Sequence, residues 1–355
     1  MSGGRIQEVR VWRIPCSGPG DLRGARALIE AGELVPSEIV AVMGKTEGNG
    51  CVNDFTRAFS VQALTAALGE DAAGVAMVMS GGTEGGLAPH ILTFEVLDED
   101  GDGPALAIGS VITPDLKPED IGTATQIDMV ASGVTEAMAR AGISDPANVH
   151  FVQIKCPLLT AARVADAASR GQATATTDTL KSMGFSRGAS ALGVAVALNE
   201  ASFDDAVSAL LSDPSVWSAR ASTSAGIELM GHEIIVMGMS NAWTGSLAID
   251  HAVMADQIDI HPVLDAMARL AIGSDATLKA LLAKAEPGST GLIRGNRHIM
   301  LDDSDISATR HARAFVGGAL AGLAGRTDIY VSGGAEHQGP DGGGPVAIIA
   351  ERMSS

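Results

Sequence analysis

Ser80-Gly81-Gly82-Thr83-Glu84, Ser224-Ala225-Gly226-Ile227-Glu228 and Ser332-Gly333-Gly334-Ala335-Glu336 are three versions of one pattern: serine, a small residue, glycine, any residue, glutamate. A pattern that returns three times in one chain marks an internal repeat, and the repeat decides the architecture. Ser80 and Ser332 follow short apolar runs, Val75–Met79 and Ile329–Val331, bounded by turn residues as buried strands are. Ser224 follows Trp217-Ser218-Ala219-Arg220-Ala221, a weaker strand signal. Behind each serine lies a further strand candidate, at His90–Val96, Glu233–Met239 and Pro345–Ala350.

Working outward, each third of the chain holds a lysine near the end of an apolar segment: Glu38–Gly44 before Lys45, Val149–Ile154 before Lys155, and Leu278–Ala283 before Lys284. The first two segments predict strands. The third, ATLKALLAKAE, reads at least as well as a helix. Between each lysine and its serine stands an arginine in a helix-like stretch: Arg57 in NDFTRAFSVQALTAAL, Arg187 in FSRGASALGVAVALNE and Arg313 in ISATRHARAFVGGALAGLA. The order Lys, Arg, Ser thus recurs, while the spacings (12 then 23, 32 then 37, 29 then 19) differ. The expected organisation is an α+β chain of three similar units, residues 1–103, 104–249 and 250–355. Its divisions fall in the Gly/Asp/Pro-rich stretch Asp98–Pro104 and near Ile249-Asp250.

Composition bounds the partners. The 355 residues are 46% hydrophobic and 19% charged, ample for a buried core. A net charge of -18, with one Tyr, three Trp and seven Phe, argues against nucleic acid and anionic membrane surfaces. Three scattered cysteines, Cys16, Cys51 and Cys156, form neither a disulfide framework nor a zinc site and suit a reducing cytoplasm. The N-terminal MSGGRIQEVRVWRIP lacks the basic and apolar regions of a secretory leader, and no apolar run approaches the roughly 20 residues that cross a bilayer.

A lysine ending a buried strand loses solvation, which lowers its pKa and can leave it neutral, as a general base must be. A serine hydroxyl becomes a nucleophile when such a base takes its proton. Glycines after the serine admit a ligand close to the backbone, and a planar guanidinium suits the carbonyl oxygens of a flat molecule. Other motifs fail: Ile39 stands where a phosphate-binding loop ending in Gly44-Lys45-Thr46 needs glycine, and Val236 where HExxH needs its second histidine.

Together, GKTEGNGCVNDFTR, VMSGGTEGGLAPH, QIKCPLLT, GFSRGASALGVAVALNE, ASTSAGIELMGHE, AKAEPG, RGNRH and VSGGAEHQGPDGGGPVAIIAE closely resemble the cyanuric acid hydrolase/barbiturase family, and the resemblance spans nearly the whole chain. It implies a barrel-like fold of three similar units with pseudo-threefold symmetry, usually in a homotetramer. It also implies hydrolytic opening of an s-triazine or pyrimidine ring at an amide bond, with cyanuric acid the expected substrate. Barbituric acid, or mere binding of a cyclic imide without turnover, are the alternatives. Carried over, the substrate contacts are Arg57, Arg187 and Arg313 with Ser80-Gly81, Ser224-Ala225 and Ser332-Gly333, and the dyad lysines are Lys45, Lys155 and Lys284.

Lys155 and Ser224 are the expected reacting pair. Pro157 stands two residues past Lys155, whereas Glu47 and Glu286 follow the other two lysines and would favour their charged forms. Catalysis calls for no cofactor. The resemblance does imply a structural Mg2+ or Ca2+ on the Glu286 carboxylate and the backbone oxygens of Ala335, Gln338, Gly339, Pro340 and Gly343.

Overall fold

The computed structural model describes residues 7–99, 101, 103–273 and 276–352. The first six residues of the segment examined for a leader lie outside them, as do residues 100 and 102 of the first expected division. Among the described residues the chain is α+β, and no helix is long and apolar enough to cross a membrane.

Three segments follow one order of elements. The first runs β1 (Gln7–Pro15), α1 (Arg23–Glu30), β2 (Ile39–Thr46), α2 (Phe55–Leu68), β3 (Ala76–Gly81) and β4 (His90–Asp98). The second runs β5 (Ala105–Ile112), α3 (Ala124–Arg140), β6 (Val149–Pro157), α4 (Ala161–Ser169), α5 (Thr179–Ala197), α6 (Phe203–Ala209), β7 (Ala221–Gly226) and β8 (Glu233–Ser240), then the two-residue β9 (Trp243–Thr244). The third runs β10 (Leu247–Met254), α7 (His261–Arg269), β11 (Ala276–Ala285), a small hairpin of β12 (Leu292–Ile293) and β13 (Asn296–Arg297), α8 (Ala308–Ala324), β14 (Tyr330–Gly333) and β15 (Gly344–Arg352). The division expected near Ile249-Asp250 falls inside β10.

The three main sheets share one topology: β3-β2-β4-β1, β7-β6-β8-β5 and β14-β11-β15-β10, the first extended by β9. In each, the lysine strand runs parallel to the serine strand, and the last strand of the segment pairs antiparallel with the lysine strand. The sheets remain separate ladders; among the described residues none closes into a barrel.

Alternation across the pleat explains what each strand buries. Ala41 and Met43 enter a central apolar cluster drawn from all three sheets, whereas Val42 packs with Ala25 of α1 and Leu64 of α2. Ala280 and Leu282 likewise enter the central cluster, and Leu281 and Ala283 pack with residues of α7 and α8. The reading of ATLKALLAKAE as a helix is therefore corrected. Its alanines, leucines and lysines favour a helix locally, but a layer of apolar residues on either side rewards a strand. The weak signal before Ser224 resolves as a strand that begins only at Ala221.

Candidate active site

The same alternation carries the polar residues inward. Lys45 continues the face of Ala41 and Met43, Ser80 that of Ala76 and Val78, and Lys284 that of Ala280 and Leu282. Across the parallel ladders Lys45 pairs in register with Ser80, Lys155 with Ser224, and Lys284 with Ser332. Register partners in a sheet share a face, so each sheet delivers an amine and a hydroxyl side by side.

The three hydroxyls meet. Ser224 Oγ lies 2.9 Å from Ser332 Oγ, and Ser80 Oγ donates to Ser332 Oγ at 3.3 Å. A small cavity surrounds them, lined by Arg57, Arg187, Arg313, Lys155 and the pairs Ser80-Gly81, Ser224-Ala225 and Ser332-Gly333. Helices α2, α5 and α8 supply the arginines, one each. Lys45 and Lys284 stand behind the serines: Lys45 Nζ donates to Ser80 Oγ at 3.1 Å, and Lys284 Nζ to Ser332 Oγ at 3.2 Å, Gly333 O at 3.2 Å and Thr223 O at 2.8 Å. Lys155 Nζ donates instead to Met79 O of the first sheet, at 2.6 Å.

Burial depresses all three amines. Lys45 lies well below its ordinary value through burial and then Arg313; Lys284 is held at about 7 by burial and then Arg187; burial lowers Lys155 against the opposing pull of Glu228. The argument from sequence neighbours is thereby corrected. Glu47 is exposed beyond the end of β2, whereas a carboxylate does face Lys155: Glu228 Oε1 sits 2.8 Å from Nζ.

The glutamates that close each serine motif are the residues that sequence reasoning left without a role. Arg313 Nε and Nη2 donate to Glu84 at 2.8 and 2.5 Å, and Arg187 Nε and Nη2 to Glu336 at 2.8 and 2.6 Å. Glu228 lies 3.5 Å from Arg57 Nε. The recurrence of glutamate four residues after each serine was the available signal. Each pair joins two segments, third with first, second with third and first with second. The motif glycines make room: Gly82 (φ +105°) and Gly334 (φ +79°) occupy the left-handed region, and a Cβ there would lie 2.6 Å from Arg313 Nη2 and 2.5 Å from Arg187 Nε. Gly50 and Met183 also line the cavity, with no repeat to announce them.

Away from the cavity, Glu286 is half-buried with one donor on its carboxylate, the Ala335 N–H at 2.8 Å, and desolvation and then neighbouring Glu336 push it up to about 7. Its loop packs on the glycine-rich turn, where Ser289 donates to Asp341. A half-buried, poorly solvated carboxylate beside a carbonyl-rich turn matches the oxygen donor set that a hard cation takes.

Residues 10–351 match the family model for amidohydrolase ring-opening proteins. The cyanuric acid amidohydrolase of Azorhizobium caulinodans is 59% identical over 351 residues, 97% of this chain and 98% of the relative. That of Enterobacter cloacae is 47% identical over 368 residues, 97% and 99% of the two chains. The crystal structure of cyanuric acid hydrolase from A. caulinodans superposes with a TM-score of 0.93 at 57% identity, covering 98% of this chain and all of that one.

Proposed function

The chain belongs to the family of ring-opening amidohydrolases, and from that premise we propose that it hydrolyses cyanuric acid, opening the ring at one amide bond. The observation that carries the reading is the threefold recurrence of one amine–hydroxyl register around a single cavity that also receives three arginines. Cyanuric acid is flat and presents three carbonyls and three N–H groups, so a triplicated donor and acceptor set matches each edge in turn. The finer architecture we propose is three units, near residues 1–103, 104–249 and 250–355, set in a barrel-like, pseudo-threefold arrangement. The circuit of glutamate–arginine pairs supports it. The family resemblance adds a homotetramer, and the scattered cysteines add a cytoplasmic setting, which light scattering and fractionation test.

In this reading Lys155 and Ser224 react. Lys155 is the one lysine of the three that lines the cavity, and Ser224, at 7% exposure, is the most accessible of the three serines. Neutral Lys155 takes the Ser224 proton as Oγ bonds to a ring carbonyl carbon, and the carbonyl electron pair moves onto its oxygen. Backbone N–H groups of the serine motifs, that of Ala225 included, stabilise this oxyanion. The C–N bond then breaks, and the lysinium returns the proton to the departing ring nitrogen. Water, deprotonated by Lys155, hydrolyses the acyl-enzyme and restores Ser224. The product is carboxybiuret, which loses CO2 to give biuret. Lys45–Ser80 and Lys284–Ser332 hold the rest of the ring, and the arginines hold its carbonyl oxygens.

Glu286, with backbone oxygens of Ala335, Gln338, Gly339, Pro340 and Gly343, would hold a structural Mg2+ or Ca2+. Such an ion neutralises the half-buried carboxylate and clamps the third segment, and takes no part in the chemistry. Purified protein assayed with cyanuric acid, barbituric acid and simple cyclic imides tests the whole reading. Biuret and CO2 from cyanuric acid are expected, with weaker or no turnover of barbituric acid. There a ring CH2 replaces one N–H and leaves its partner unpaired. Preference for barbituric acid, or binding of every ring without turnover, would overturn it.

A further inference from the structure

Three glutamates occupy equivalent positions, and one of them behaves differently. Glu84 and Glu336 are each saturated by two N–H donors of their arginine. Glu228 is as buried as Glu84 and more so than Glu336, with 11% of its side chain exposed, yet neither of its oxygens finds an aligned hydrogen bond, and nor does the facing Arg57 Nε. A largely buried carboxylate held by ion-pair contacts alone, with no aligned hydrogen bond, is costly, so its persistence beside a functional cavity needs a reason. The reason lies 2.8 Å away, at Lys155 Nζ, the closest approach of any of these glutamates to a lysine among the ion pairs of the described residues.

Resting on the assignment of Lys155 and Ser224 as the reacting pair, we propose that Glu228 is the positioning residue that singles out Lys155 from the three lysines. Its unsaturated carboxylate stands ready for the lysinium formed when Ser224 gives up its proton. The step balances: the Oγ–H bond breaks, its electron pair becomes the Oγ–C bond, the proton moves to Nζ, and nothing is oxidised or reduced. Glu228 stays ionised throughout and meets a charge that exists only once the proton has moved. Interactions that strengthen along the reaction in this way accelerate it, whereas equal contact with the resting enzyme would not. Glu84 and Glu336 are committed to Arg313 and Arg187 and have no such capacity. The Met79 carbonyl, 2.6 Å from Nζ, takes one N–H of the neutral amine and fixes its direction.

The other ionisable groups around the pair are Arg57 from α2, Arg163 from α4, Cys156 beside the lysine, and Glu233, which pairs in register with Lys155 across β6 and β8 and donates nothing in its ionised form. Arg57 favours ionised Glu228 and disfavours ionised Lys155, and with burial it works against the pull of Glu228 on the amine.

The experiment is the pH dependence of kcat for Glu228→Gln, Glu228→Asp, Glu84→Gln and Glu336→Gln with cyanuric acid. In Glu228→Gln the lysine loses the carboxylate that favours its charged form, so the acid limb of the profile moves to lower pH. Its plateau kcat falls about 10- to 100-fold, with KM within about threefold of wild type. Glu228→Asp keeps the charge and brings the limb back towards wild type, which also covers the case in which the amide variant fails to fold. Glu84→Gln and Glu336→Gln loosen an arginine and raise KM without moving the limb. An unmoved limb in Glu228→Gln, or an equal shift in Glu84→Gln, would overturn the inference. If Ser224→Ala abolishes turnover while Glu228→Gln is silent, this inference alone falls. If Ser224→Ala retains turnover, the dyad assignment beneath it falls instead.

Discussion

Arg187, on a helix of the second segment, closes on Glu336 of the third through two N–H···O bonds of 2.8 and 2.6 Å. Two-pronged pairs of this kind fix a guanidinium plane as well as its charge. The arginine therefore arrives at the cavity already oriented, and the same holds for Arg313 on Glu84.

If each arginine lining the cavity holds one edge of the ring, Arg57→Met, Arg187→Met and Arg313→Met each reduce kcat/KM, by about a hundredfold or more where a charge-assisted bond to a ring carbonyl is lost. Steady-state kinetics with cyanuric acid checks all three. Two silent substitutions would refute a site in which each arginine holds one edge of the ring.

Ser224→Ala and Lys155→Met should lower kcat by a factor on the order of 10³ or more if, as proposed, each removes a member of the reacting pair. Ser80→Ala and Ser332→Ala should act mainly on KM. Near-wild-type turnover in Ser224→Ala would move the nucleophile to another sheet.

Lys45 offers a test through stability. Burial, then Arg313, holds its amine well below the ordinary value of 10.5, so between those two values the unfolded chain binds a proton that the folded one does not. The destabilisation it causes is full below the folded pKa and fades as pH rises towards 10.5. Lys45→Met should therefore melt higher than wild type near neutral pH, and the difference should shrink towards about pH 10. Calorimetry at both pH values decides; a constant difference would show that the amine is not neutral in the folded protein.

Gly334→Ala probes the fit of the serine motif. A methyl group 2.5 Å from Arg187 Nε, on a residue at φ +79°, must displace the arginine or strain the backbone, at a cost of about 1–3 kcal/mol. A raised KM is expected, and unchanged KM with unchanged melting would mean the turn has room that the geometry denies.

For the cation, Glu286→Gln or exhaustive chelation should lower the melting temperature more than it alters KM, with Mg2+ or Ca2+ restoring wild type but not the variant. Unaltered melting after chelation, with no metal by elemental analysis, would remove the ion from the account.

Much of this was legible in the sequence, for a physical reason. Short apolar runs ending in Lys45 and Lys155, and glycine-rich turns after Ser80 and Ser332, are local signals set by local burial and backbone geometry. Lys284 was placed correctly within a segment whose strand character was not legible. Alanine and leucine favour helices when nothing packs on them, and only the two layers around β11 decide otherwise. What surrounds Lys155 was least legible. Two residues along the chain stands a proline, yet the carboxylate that matters arrives from Glu228 on a neighbouring turn. The recurring glutamate four residues after each serine marked Glu228 as part of the motif, but nothing in the spacing says which lysine it meets.

The glutamate–arginine pairs form a closed relay: the first segment's Glu84 holds the third segment's Arg313, the third's Glu336 holds the second's Arg187, and the second's Glu228 faces the first's Arg57. No segment owns the anchor of its own arm. A chain folded over two thirds of its length would present one arm adrift, one anchor idle and a hydroxyl missing, so it could neither grip the ring nor open it. Turnover thus counts finished molecules only, and an opening of the relay anywhere along its course should cost activity at the distant arginine as well as the near one.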